Sequence, residues 1–103
     1  MNEERRGSSR VLKRLMLLFG TDEPRNQGFT RNLSREGIEI AARKVPPPKT
    51  ELLIRLQTDS GDIDLHGVVR WRKAGQSMGV ELHERPLAYL DLLSELSGNL
   101  RAR

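Results

Sequence analysis

Through the middle of this chain, apolar and polar residues alternate with a period of two. Leu52, Ile54 and Leu56 share one side of the stretch Glu51–Gln57. Ile63, Leu65, Gly67, Val69 and Trp71 share one side of Ile63–Arg72, with Asp64, His66, Arg70 and Arg72 on the other. Successive side chains of a strand point to opposite faces, so both stretches are predicted as half-buried strands, with Trp71 inward in the core. Phe29–Leu33, Ile38–Ala42 and a last strand with Met78, Val80 and Leu82 inward follow the same logic. Val11–Phe19 is compatible with strand or helix, because a short apolar run does not settle the period.

Breakers separate these runs. Gly20–Gln27 reads as a loop, and Asp59–Asp62 and Lys73–Gln76 read as turns. Ser34-Arg35-Glu36-Gly37 reads as a tight turn in which Gly37 is expected to adopt a backbone conformation that other residues avoid. Pro46-Pro47-Pro48 forces an extended connection outside any central strand. Pro86 suits the first turn of a helix running Leu87–Leu96 and stopping near Gly98. Tyr89, Leu93, Leu96 and Leu100 form its packing stripe, Leu90 broadens it, and Leu92 is placed to one side, where it could meet a partner. Short strands without alternating helices, followed by one helix, argue for an all-β fold: an antiparallel barrel closed on itself, with a C-terminal α-helix. The expected division is a flexible basic arm over residues 1–10, the barrel and helix over 11–98, and a disordered tail over 99–103.

Composition narrows the class. At 103 residues there is room for one domain, and 4% aromatic content leaves the core to Leu, Ile and Val. The chain has no cysteine, which excludes a disulfide framework and thiolate metal sites and fits a reducing, cytoplasmic setting. No apolar run approaches the ~20 residues that span a bilayer, so no membrane insertion is expected. The net charge of +4 sits entirely in residues 1–35, because residues 36–103 hold ten charges of each sign. Fourteen of the eighteen basic residues are arginine, whose planar fork grips phosphate and guanine edges and stacks on bases.

Two motifs carry the candidate chemistry. Arg6-Gly7-Ser8-Ser9-Arg10 is an RxxxR pattern in the arm. Alone it says little, since fourteen arginines supply about two such pairs by chance. Asn32-Leu33-Ser34-Arg35-Glu36-Gly37 is an NxSxxG pattern across the turn, expected about 0.05 times from this composition. RxxxR before the first strand, NxSxxG between the next two, and a terminal leucine-rich helix together resemble the PilZ domain, the bacterial receptor module for cyclic di-GMP. The resemblance runs from Arg5 to about Leu96. It includes Gly67-Val68-Val69-Arg70-Trp71 and Met78-Gly79-Val80-Glu81-Leu82, which look like the family's last two strands.

The resemblance implies a six-stranded antiparallel β-barrel with a C-terminal helix and a ligand held between arm and barrel. Carried over, the binding residues are Arg6, Arg10, Asn32, Ser34 and Gly37. Asn32 stands where many members have Asp, and Gly-Ser-Ser replaces bulkier residues inside RxxxR. In this family an Arg just before RxxxR goes with an intercalated pair of ligands, and Arg5 occupies that position, so two cyclic di-GMP molecules per chain are expected. The chemistry is coherent without the family name. Arginine binds phosphate bidentately, bonds guanine O6 and N7, or stacks on the purine, and Asn32 and Ser34 exchange hydrogen bonds with a guanine edge.

The leading expectation is a stand-alone, non-enzymatic cyclic di-GMP receptor that orders its arm over the ligand and signals to a downstream protein. One alternative is a PilZ-like interaction module that binds no nucleotide. Another is a small basic barrel for single-stranded nucleic acid, which four aromatic residues serve poorly. No acid–base pair or nucleophile constellation is visible, so no catalysis is expected. His66 and His83 lack ligand-type spacing to a cysteine or carboxylate, so neither a metal nor a cofactor is expected. Arg31 and Arg35 flank the turn as solvated surface.

Overall fold

The computed structural model describes residues 10–101. Six strands and a helix follow in order: β1 (Met16–Gly20), β2 (Asn26–Leu33), β3 (Gly37–Ala41), β4 (Glu51–Thr58), β5 (Gly61–Lys73), β6 (Ser77–Leu82) and α1 (Leu87–Arg101). Every strand pairing is antiparallel, and the sheet closes in the order β1-β2-β3-β6-β5-β4. The six-stranded barrel with a terminal helix expected from the sequence is therefore the fold.

The period-two pattern sets which side chains fill it. Leu52, Ile54 and Leu56 of β4 are fully enclosed, as are Leu17 and Phe19 of β1, Ile38 and Ile40 of β3, and Met78, Val80 and Leu82 of β6. Each such side chain contributes about 1.5–3 kcal/mol relative to exposure. The ambiguous run Val11–Phe19 resolves as extended chain. Val11 forms a bridge with Leu33 through two backbone bonds of 2.8 and 2.9 Å, and β1 begins at Met16. Buried Thr30 ties this entry segment to β2: its hydroxyl accepts from Leu15 N at 2.8 Å and donates to Lys13 O. Arg10, immediately before the bridge, is thereby held beside the end of β2.

The triple proline lies in the β3–β4 connection, which must cross the barrel because β3 and β4 are not neighbours. It is pinned to β5 by Lys49 N to Val69 O (2.7 Å) and by Arg72 Nη1 to Val45 O (2.9 Å).

Three expectations are corrected. Trp71 is not in the core: it is 43% exposed. The register of β5 against β6 shifts between Val69 and Trp71, so Arg70 is an extra residue in the ladder. A bulge of this kind breaks strict alternation and brings Arg70 and Trp71 to the same outer face. Leu92 is buried with Leu93 and Tyr89 in the core cluster rather than turned towards a partner. The helix does not stop near Gly98 but continues to Arg101, through three residues of the expected tail. Gly98 lacks the left-handed conformation of a helix-ending glycine. It is a helix-interior residue costing about 1 kcal/mol relative to alanine.

Candidate functional site: a hollow between two bulges

On the outer face of the barrel, across β2, β3, β6 and β5, lies an open hollow of about 250 Å³. Its floor is the backbone of β3 and β6 around Gly37, Ile38, Gly79 and Val80, and Arg10 closes it on the arm side. Both bounding strands are bulged. In β2 the register shifts between Thr30 and Asn32, so Thr30 stays inside while Asn32 pairs across from Glu39. Asn32 Nδ2 donates to Glu39 Oε1 at 2.8 Å, and Arg31 Nε lies 3.6 Å from Glu39 Oε2. In β5 the bulge at Arg70 turns Trp71 outward, and Arg70 Nε meets Glu81 Oε1 at 2.6 Å. One inserted residue in each strand, Arg31 in β2 and Arg70 in β5, thus brings Asn32 and Trp71 to the two side walls.

Glycines make the floor. An added Cβ at Gly79 would collide with the Trp71 indole ring, so the missing side chain lets the indole lie against the β6 backbone. Half-exposed and braced from behind, this ring is a stacking platform of the kind that binds nucleobases. A Cβ at Gly37 would collide with the Val80 carbonyl oxygen. The expected reason for Gly37 is therefore corrected. Among the described residues the left-handed conformation falls at Lys49, Gly61 and Gly75, and Gly37 is required by close strand approach instead.

The Ser34–Gly37 turn is a small hydrogen-bonded unit. Ser34 N donates to Gly37 O at 2.9 Å, and Gly37 N donates to Ser34 Oγ at 3.2 Å. Its outward carbonyls are satisfied by the end of the chain. The Tyr89 hydroxyl of α1 donates to Ser34 O at 2.7 Å, Arg85 Nε to Arg35 O at 2.6 Å, and Leu82 N to Glu36 O at 2.8 Å. Burial pushes the Tyr89 hydroxyl well above its ordinary range, so it remains a donor at any physiological pH.

Of the residues singled out in the sequence, Arg10, Asn32, Ser34 and Gly37 come together around the hollow. Arg5 and Arg6 lie outside the described residues. Arg70 and Glu81 carry no sequence signal as site residues, and Trp71 is assigned by its position to the core, because nothing in an alternating pattern marks a bulge. The Trp71/Gly79 pairing carries a faint signal, a large aromatic opposite a glycine in the neighbouring strand. The structure also joins what the sequence kept apart. His66 and His83 both approach Glu51 Oε1, at 3.4 and 2.7 Å. A larger hollow of about 730 Å³ lies between the start of β2 and the segment 41–44, and it includes none of the motif residues.

The PilZ domain family model matches residues 4–97. No curated protein sequence matches the chain. Among solved structures, the Bacillus subtilis inhibitor of motility (MotI/DgrA) superposes with a TM-score of 0.74 at 18% identity, over 98% of this chain and 53% of that one. The chain thus spans about half the length of that structure. The PilZ domain of CeSA from a cellulose-synthesizing bacterium superposes with a TM-score of 0.65 at 18% identity, over 88% of this chain and 97% of that one. At that identity both likenesses concern the fold. No helix among the described residues is long and apolar enough to cross a membrane.

Proposed function

Because this chain belongs to the PilZ domain family, we propose that it is a non-enzymatic, cytoplasmic receptor for cyclic di-GMP that passes ligand binding on to a protein partner. One observation carries the reading: Arg10, Asn32 and Ser34 converge on one hollow beside the exposed, glycine-braced indole of Trp71. A guanine stacked on Trp71 turns its edge towards Asn32, Ser34 and the carboxylate of Glu39 or Glu81, which accept its N–H groups. Arg10 and Arg70 supply charge-assisted bonds to phosphate or to O6 and N7.

At about 250 Å³ the hollow is smaller than typical ligand pockets of about 300–1,000 Å³. A cyclic dinucleotide therefore stands proud of the surface and needs covering from above. Arg5 and Arg6 of the arm perform that role, and the entropy lost in ordering the arm is the source of a ligand-dependent signal. On the opposite side, the turn bearing Ser34 is bonded to Tyr89 and Arg85, so a shift of the turn on binding reaches the start of α1.

A second reading, a PilZ module that binds protein and no nucleotide, is favoured by one observation. The described lining of the hollow carries three carboxylates (Glu36, Glu39, Glu81) against two guanidiniums (Arg10, Arg70). Calorimetric titration separates the two. The receptor reading expects heat with cyclic di-GMP and none with cyclic di-AMP or a random oligonucleotide, with two ligands per chain falling to one in Arg5→Leu. Absence of heat with cyclic di-GMP sinks it in favour of the second reading. One ligand per wild-type chain removes the intercalated pair alone.

A further inference from the structure

We propose that Glu51, His66 and His83 form a binding site for one divalent cation of the zinc type, distinct from the nucleotide hollow. None of the three lines that hollow. They come from separate segments: the first residue of β4, the middle of β5, and the residue just after β6. His83 N donates to His66 O at 2.8 Å, and Leu53 pairs with His66 in the β4–β5 ladder, so the three backbones are fixed by sheet hydrogen bonds before any ion arrives. A site on rigid strands binds without the ordering cost that a loop would incur.

The donor geometry is close to that of a tetrahedral ion. One ring nitrogen of each histidine and a Glu51 carboxylate oxygen lie within 4.8 Å of one another. Zinc–nitrogen and zinc–oxygen bonds of about 2.0–2.1 Å place tetrahedral donors about 3.4 Å apart. The His66 Nε2 to Glu51 Oε1 distance is 3.4 Å already, and the 2.7 Å separation of His83 Nε2 from the same oxygen opens by less than an ångström. The imidazole rings stand edge to face with centroids 4.9 Å apart. Two imidazoles bound through Nε2 to one tetrahedral ion have centroids about 5 Å apart.

Without an ion, a single carboxylate oxygen serves both imidazoles, and an Nε2–H donates to it. On binding, the Nε2 protons move to Nδ1 or to water, and the Nε2 lone pairs and the carboxylate turn to the cation. Two imidazoles and a carboxylate suit zinc and its transition-metal neighbours, whereas magnesium and calcium require oxygen donors throughout. Three protein ligands leave a fourth position open to water. All three side chains are substantially exposed, so the ion has direct access.

The test uses the tag-free full chain, stripped with a chelator and titrated with zinc chloride. The chain contains only two histidines and no cysteine. One zinc per chain is expected, with both imidazole side chains perturbed in nitrogen-15 NMR spectra and no response to magnesium. Glu51→Gln, His66→Ala and His83→Ala should each weaken binding about tenfold or more, because even residues that only support metal ligands cost 10–100-fold. Far-ultraviolet circular dichroism on each variant confirms that the barrel is intact. Absence of zinc binding, binding that survives both histidine variants, or an equal response to magnesium overturns the proposal.

Discussion

The barrel has two short polar turns that end in or near a glycine and look alike in sequence, and they are built on different physics. Ser34–Gly37 joins β2 to β3, and Lys73–Gln76 joins β5 to β6. Gly75 has φ +74°, and an added Cβ would meet nothing within 4 Å. That turn needs its glycine for backbone conformation, and the space where a side chain would stand is open. Gly37 has no unusual dihedral, but it lies so close to the Val80 carbonyl that any side chain collides. The first turn is also bonded from behind by Tyr89, Arg85 and Leu82, whereas the second is closed by its own bond, Gln76 N to Lys73 O at 2.9 Å, and receives one from the residue just after β3, Ala42 N to Gln76 O at 3.0 Å, with none from the helix. One turn reverses the chain. The other reverses the chain and is wired to the helix.

Three substitutions break or sharpen that contrast. The largest effect is expected for Gly37→Ala, where the methyl group meets immovable backbone and forces β3 from β6. A stability loss of about 3 kcal/mol is expected in chemical denaturation, together with loss of cyclic di-GMP binding in calorimetry. Wild-type stability in this variant would show that the two strands can separate freely, and the contrast would fail. Tyr89→Phe keeps the packing and removes the hydroxyl, leaving the Ser34 carbonyl unpaired. A loss of about 1–2 kcal/mol is expected, with weakened cyclic di-GMP binding, because the turn loses its anchor. Unchanged affinity would disconnect the helix from the site. Gly75→Ala is expected to cost only about 1 kcal/mol, the strain of a left-handed alanine, and to leave ligand affinity at the wild-type value. A change in affinity there would mean that the two turns communicate through β6.

Much of this fold is legible in the sequence because the core obeys one rule. Leu52, Ile54 and Leu56 alternate without interruption, and β4 lies where they place it. The motif half of the site is legible for a related reason: Asn32, Ser34 and Gly37 are close in sequence, and a tight turn keeps them close in space. The other half fails where the rule is locally suspended. Inserting Arg70 into the β5 ladder inverts the side of every residue that follows, so counting by twos assigns Trp71 to the wrong face. For Gly37 the sequence indicates a position without room for a Cβ, but not what the Cβ would strike, because the Val80 carbonyl of β6 is some forty residues away. The convergence of Glu51, His66 and His83 is equally non-local, since ladder register, not spacing, brings them together. Leu92 belongs inside by ordinary helical spacing, since Tyr89, Leu92, Leu93 and Leu96 stand at i, i+3, i+4 and i+7 of one stripe, and a stripe drawn through Tyr89, Leu93 and Leu96 alone leaves it out.

Closure of the barrel has a consequence for how this protein can be recognised. An open sheet offers unpaired N–H and C=O groups at its margins, and many peptide-binding domains capture partners by adding a strand there. Among the described residues each of the six strands already has a neighbour on both sides. Strand addition to these six strands is therefore closed, and so is edge-to-edge aggregation through them. Whatever docks on the described barrel must read its side chains, and the exposed chemistry it meets there includes Trp71 and the charged rim of the hollow.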